Sequence, residues 1–156
     1  MDVEALLRRA IELADRARAN GNHPFGALLA TADGRIALEA ENTVATSRDV
    51  TGHAETNLVS LATRRFDAEE LAGMTLVTSC EPCAMCAGAI YWSTIGAVVY
   101  GLSERGLLEL TGDDPANPTL DLPCRTVLGA GQRRVAVTGP LLEAEAAASH
   151  AGFWRS

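Results

Sequence analysis

Aromatic side chains are scarce in this chain of 156 residues, at 4% of the total, and basic residues are outnumbered, 13 against 20 acidic, for a net charge of −7. Proteins that grip nucleic acid broadly use clustered Lys and Arg to meet phosphates and exposed rings to stack bases. This balance opposes such a role, and the pairs Arg64-Arg65 and Arg133-Arg134 read as ordinary solvated arginines. No apolar run approaches the roughly 18 residues of a membrane helix. The acidic opening Met1-Asp2-Val3-Glu4 is unlike a targeting peptide. Repeats, low-complexity tracts and linkers are missing as well. The expectation is one domain over residues 1–156, near the modal domain size, with no membrane partner. Four cysteines without a secretory signal suit a reducing compartment, and the cytoplasm is the expected location.

What is present is His53-Ala54-Glu55 and, further on, Pro82-Cys83-Ala84-Met85-Cys86. Zinc favours tetrahedral nitrogen and sulfur ligands, and a catalytic site keeps three protein ligands so that the fourth position can take water. His53, Cys83 and Cys86 supply three. Water at such an ion is acidified from a pKa near 15.7 towards about 7. Glu55 then stands where a carboxylate can take that proton and hand it to a leaving amine, as general base and then general acid. The combination H-x-E with P-C-x-x-C is the signature of zinc-dependent nucleobase deaminases.

Two plainer readings compete. In a structural zinc site a fourth ligand, Cys80 or Cys124, would close the coordination sphere. A redox C-x-x-C would explain neither His53 nor Glu55. Cys80-Glu81-Pro82-Cys83 is also a second frame overlapping the first, and spacing alone does not separate them. Pro82 suits a helix start, where residues i and i+3 share a face and the positive helix end favours thiolates, so Cys83 and Cys86 are preferred.

Hydrophobic periodicity predicts a helix from Val3 to Asn20, strands from Phe25 to Thr31 and Arg35 to Glu41 joined around Asp33-Gly34, and a polar loop from Thr43 to Thr51. A helix from His53 to Arg65, a strand from Met74 to Ser79, a helix from Cys83 to Trp92 and a strand from Ala97 to Leu102 follow. Beyond Leu102 the pattern weakens, and Leu110 to Pro123 reads as an ordered loop over a site. A last strand from Arg134 to Thr138 and a helix from Leu141 to Trp154 complete an α/β layered reading, with strand order undetermined.

The residues Pro24-Phe25-Gly26-Ala27, Asn42, His53-Ala54-Glu55 and Thr78 through Trp92 resemble the cytidine deaminase-like superfamily, in particular its guanine deaminase and tRNA adenosine deaminase branch. The resemblance implies a three-layer α/β/α fold with a five-stranded mixed sheet, one Zn2+ per subunit, and a homodimer in which the neighbouring subunit helps enclose each site. It further implies that Asn42 hydrogen-bonds a base, that His53 also stacks on it, and that Glu55 shuttles protons.

The forms Ser79-Cys80-Glu81-Pro82-Cys83 and Ile90-Tyr91-Trp92 resemble guanine deaminases, in which an aromatic at the Trp92 position lines the base pocket and a later acidic residue, here best matched by Asp114, binds the base's polar edge. For Trp92 the competing reading is core packing, and for Asp114 a solvated turn before proline. Phe25 is expected to border the pocket. The Ala54 and Cys83 backbone N–H groups, at helix starts, are candidates to bind the substrate. The expected substrate is a free nucleobase, guanine or a guanine-like amino-heterocycle. Adenosine in tRNA and a cytosine, isocytosine or triazine remain alternatives, the Phe153-Trp154 ending being closer in type to the adenosine deaminases.

Overall fold

Asp2 starts the first helix by accepting the Ala5 N–H at 3.0 Å, and the stripe Leu6, Leu7, Ala10, Ile11, Leu13, Ala14 and Ala17 is buried along α1 (Val3–Ala19). The computed structural model describes residues 1–154. After α1 come β1 (Gly26–Ala30), β2 (Ile36–Glu41), a short α2 (Val44–Ser47), α3 (Ala54–Arg65), α4 (Ala68–Ala72), β3 (Thr75–Cys80), α5 (Ala84–Ser93), β4 (Ala97–Leu102), α6 (Glu104–Thr111), α7 (Cys124–Gly129), β5 (Ala136–Thr138) and α8 (Glu143–Ala148).

The strands form one mixed sheet in the order β2-β1-β3-β4-β5. β1 lies antiparallel to β2 and β3, while β3, β4 and β5 run parallel. Alternation along β1 sends Ala27 and Leu29 to one face, where α3 and α5 contribute Leu58, Ala62, Ala87 and Ile90. Leu28 and Ala30 face the other way, onto Leu6, Leu7 and Leu13 of α1. Helices therefore cover both faces, as a sheet buried on two sides requires. Among the described residues no helix is long and apolar enough to cross a membrane.

Elements up to β4 lie within a residue or two of their predicted bounds. Four helices went unread. Asp67 and Glu70 form a complete capping box around α4, a local signal present in the sequence. α2, α6 and α7 have four, eight and six residues, too short for a periodic stripe to stand out. The final helix stops at Ala148, and turns carry the chain to Trp154 through Gly152 at φ +69°.

β1 crosses α1 very closely at Gly26, where a Cβ would stand 2.5 Å from the Ala10 carbonyl oxygen and the Ala14 nitrogen. Gly26→Ala is expected to destabilise the protein by about 1–3 kcal/mol in a urea melt, since helix backbone must move to admit the methyl; an unchanged midpoint would mean that α1 slides without cost.

Candidate active site

His53 and Cys83 occupy equivalent places, each in extended backbone immediately before a helix, α3 and α5 respectively. Cys86 lies in the first turn of α5, so the i, i+3 spacing brings its sulfur beside that of Cys83, at 3.7 Å. His53 Nδ1 stands 3.6 Å from Cys83 Sγ and 3.4 Å from Cys86 Sγ. Zinc bonds of about 2.3 Å to sulfur and 2.0–2.1 Å to nitrogen, at tetrahedral angles, require edges of about 3.8 Å between sulfurs and about 3.6 Å from sulfur to nitrogen. The three donors fit a zinc ion with three protein ligands. Cys80 ends β3, fully buried, and burial pushes its thiol well above the ordinary range. It joins no metal-binding group among the described residues, and neither does Cys124. The overlapping C-x-x-C frame is thus resolved in favour of Cys83 and Cys86.

The electrostatics favour a thiolate at Cys83. The hydrogen bond from Cys86 and that with His53 hold the Cys83 thiol down at about 4, despite burial, while the same bond and burial push Cys86 up. His53 is raised by its contact with Cys83. The Glu55 side chain, in the first turn of α3, is buried, and desolvation lifts its carboxyl to about 7.

A cavity of about 290 Å³ opens beside these groups, and His53, Glu55 and Cys83 line it together with Asn42 and Phe25. Asn42 is 2% exposed; its Oδ1 accepts the Val44 N–H at 3.0 Å, leaving the side-chain amide nitrogen as a donor. The turn at α2 that presents it is held by Asn22, whose Oδ1 accepts the Ala45 and Thr46 N–H groups. Part of the loop between α6 and α7, Ala116 to Leu120, forms a further wall, as expected for a loop over a site.

Four sequence-predicted residues are not in the cavity lining: Cys86, which lies behind it beside Cys83 and His53, and Trp92, Asp114 and Ala54. Trp92 is 83% exposed near the end of α5, edge-on to Tyr91; its place in the sequence put it on the helix but could not tell which way that face pointed. Asp114 accepts the Ala116 N–H at 2.9 Å in the turn that opens the loop; burial lowers the His23 pKa, against a smaller opposing contribution from Asp114. Ala54 is wholly buried, and its N–H, at the first position of α3, lies outside the helix's own ladder.

Conversely, Glu81, Glu104 and His23 line the cavity and were not singled out from the sequence. Glu81 braces two helix starts, its Oε1 accepting the Glu104 N–H at 2.9 Å and its Oε2 the Cys124 N–H at 2.7 Å. Burial, together with the negative charges of Cys83, Glu81 and Glu55, raises the Glu104 carboxyl to about 8. Ser103, which caps α6 by accepting the Gly106 N–H, followed by an acidic residue, was the available signal for this helix.

The tail packs on its own chain. The His150 ring meets Phe25 at 5.3 Å between centroids, and the Phe153 and Trp154 rings meet His23 edge-on. His150 Nδ1 accepts the Trp154 indole N–H at 2.8 Å, which requires a neutral ring, and burial lowers its pKa to about 4.

Residues 1–102 match the family described as the cytidine and deoxycytidylate deaminase zinc-binding region. A probable cytosine deaminase of Schizosaccharomyces pombe is 44% identical over 151 residues, covering 96% of this chain and 91% of that protein. The guanine deaminase of Bacillus subtilis is 42% identical over 73% of each chain. A tRNA-specific adenosine deaminase of Haemophilus influenzae is 39% identical over 65% of this chain and 58% of its own length. The solved guanine deaminase of Nitrosomonas europaea superposes with a TM-score of 0.77 at 29% identity, over 94% of this chain and 81% of that one.

Metal analysis is expected to find one zinc per chain, lost in Cys83→Ser and Cys86→Ser and kept in Cys80→Ser; loss in Cys80→Ser with retention in Cys86→Ser would favour the overlapping frame instead. Acid stability follows from His150. Its folded pKa of about 4 lies below the ordinary value of about 6.5, so its contribution is complete above pH 6.5 and is lost as pH falls towards 4. His150→Gln, which keeps an acceptor without that titration, should flatten the fall in melting temperature across this window. An unchanged slope would place the acid sensitivity elsewhere.

Proposed function

We propose that this chain, which belongs to the cytidine and deoxycytidylate deaminase zinc-binding family, deaminates a free nucleobase. Members of the family are hydrolytic deaminases, and the chain is a zinc-dependent aminohydrolase. The observation that carries the free-base reading is the cavity itself. Its volume, about 290 Å³, lies at the small end of ligand pockets, and it is lined by one buried amide donor, buried carboxyls and apolar side chains. That is a room for one heterocycle.

Zinc held by His53, Cys83 and Cys86 supplies Lewis acidity and acidifies water. Within this reading Asn42 donates its side-chain N–H to the base and fixes its orientation. Phe25, Val44 and Leu107 supply apolar contact and exclude bulk water. Glu55, with a carboxyl lifted to about 7, is matched to accept a proton from water and return it to the departing amine near neutral pH. The net exchange consumes one water, converts a ring C–NH2 to C=O and releases ammonia.

Guanine-like amino-heterocycles are the first substrate class, supported by the Ser79 to Cys83 and Ile90 to Trp92 likeness and by the guanine deaminase relatives. Cytosine is the second, supported by the relative that matches this chain along nearly its whole length, and by the distance of Trp92 from the cavity. Adenosine in tRNA is opposed by the net charge of −7.

Ammonia release from guanine, cytosine, isocytosine, amino-triazines, their nucleosides and a tRNA anticodon stem tests these readings directly. Turnover is expected with free bases, and Glu55→Gln should lower kcat by about 10²–10⁴-fold while retaining zinc. Activity confined to the RNA would overturn the substrate assignment, and full turnover by Glu55→Gln would remove that residue from the chemistry.

A further inference from the structure

One buried carboxyl has no part in that chemistry. Glu104 opens α6, is 5% exposed and lines the cavity on the side of Cys83 and Glu55, whose charges act on it. Its backbone is pinned by the N–H bond to Glu81 Oε1, so the side chain projects from a fixed point. Glu81 spends both its oxygens on backbone donors, at Glu104 and Cys124. The Glu104 oxygens meet no donor among the described residues. Its oxygens are open to the cavity, so a ligand N–H can reach a carboxyl that no protein donor occupies. In the same cavity Asn42 offers a donor, since its oxygen is already committed to the Val44 N–H. The cavity thus presents one amide donor and one carboxyl acceptor, which is complementary to a heterocycle bearing both an acceptor and a ring N–H.

We propose that Glu104 is a specificity-determining residue that accepts a hydrogen bond from a ring N–H of the base, so that the site selects free bases over counterparts alkylated or glycosylated at that nitrogen. The proposal rests on the free-base reading and deepens it. A nucleoside replaces a ring N–H with a bond to sugar, which removes the donor and brings bulk against a carboxyl that then stays unpaired. Rejection of a ligand that lacks the needed hydrogen is stronger than rejection of one that lacks a methylene, because the site's own polar group is left stranded.

Calorimetric binding to the zinc-loaded Glu55→Gln protein tests this without turnover. The probes are guanine and cytosine, each against its analogues methylated at single ring nitrogens. The parent is expected to prefer the free base over at least one such analogue by roughly tenfold or more, the discrimination expected when an analogue leaves a polar group of the site without its hydrogen bond. Adding Glu104→Ala should reduce that ratio to within about threefold, and Glu104→Gln, which keeps the shape and one acceptor oxygen, should give an intermediate value. Zinc content and a thermal melt establish that each variant is folded; if the alanine variant is not, the glutamine variant decides. A ratio unchanged by the substitutions, or no preference in the parent, overturns the role of Glu104 while leaving the free-base reading standing. Failure of the parent to bind any base overturns both.

Discussion

The two helices that carry the candidate metal ligands, α3 and α5, begin without the side-chain caps that helix starts ordinarily carry. His53 and Cys83 hold the capping positions of α3 and α5 in extended backbone, and neither side chain makes a capping hydrogen bond. A Ser, Thr, Asp or Asn at such a place is worth about 1 kcal/mol. Here both side chains are turned instead towards each other and Cys86, at separations that suit zinc. Metal binding then joins two helices distant in sequence through their ends, and its free energy becomes folding free energy for that part of the molecule. The sheet makes this meeting available, because α3 and α5 pack on the same face of β1, β3 and β4.

The rest of the site is fixed relative to that junction by Glu81. It directly follows β3 and lies two residues before Cys83, and its two oxygens hold the first N–H groups of α6 and α7. Carboxylates at helix N-termini are stabilised by the helix dipole, and one carboxylate serves two helices here. The consequence is a wall of the cavity, made by Glu104 and Leu107 of α6 and by the loop that leads on to α7, tied to the metal-binding segment by a single side chain. Short helices of this kind have little intrinsic stability, and tertiary bonds of this sort set where they start.

The opposite wall is aromatic and belongs to the chain's beginning and end. Phe25 and His23 line the cavity, and His150, Phe153 and Trp154 back them. Arg18 adds its guanidinium to the Phe153 ring and donates to the Ser149 and Ala151 carbonyls, fastening the tail to α1. Scarce as aromatic residues are in this sequence, five of the ten His, Phe, Tyr and Trp side chains are gathered at this one place.

The chemistry was legible from the sequence because zinc ligation and helix periodicity are local rules. His53 and Glu55 stand two residues apart, Cys83 and Cys86 share a helix face, and the strands up to β4 declare themselves by alternation. The fold class followed from the resemblance those motifs carried. What only the tertiary structure decided is everything that depends on the direction of a face or on contacts between distant segments. Cys83 with Cys86, rather than Cys80, completes the set with His53 because β3 ends at Cys80 and buries it. Trp92 has the right position on α5 but looks outward, a property of helix packing that spacing does not encode. Glu104 sits in a stretch without clear periodicity and reaches the cavity only because Glu81 anchors the helix it begins. A sequence specifies donor atoms at fixed local separations; which of them share a cavity is set by the sheet order and by the bonds that hold short helices in place.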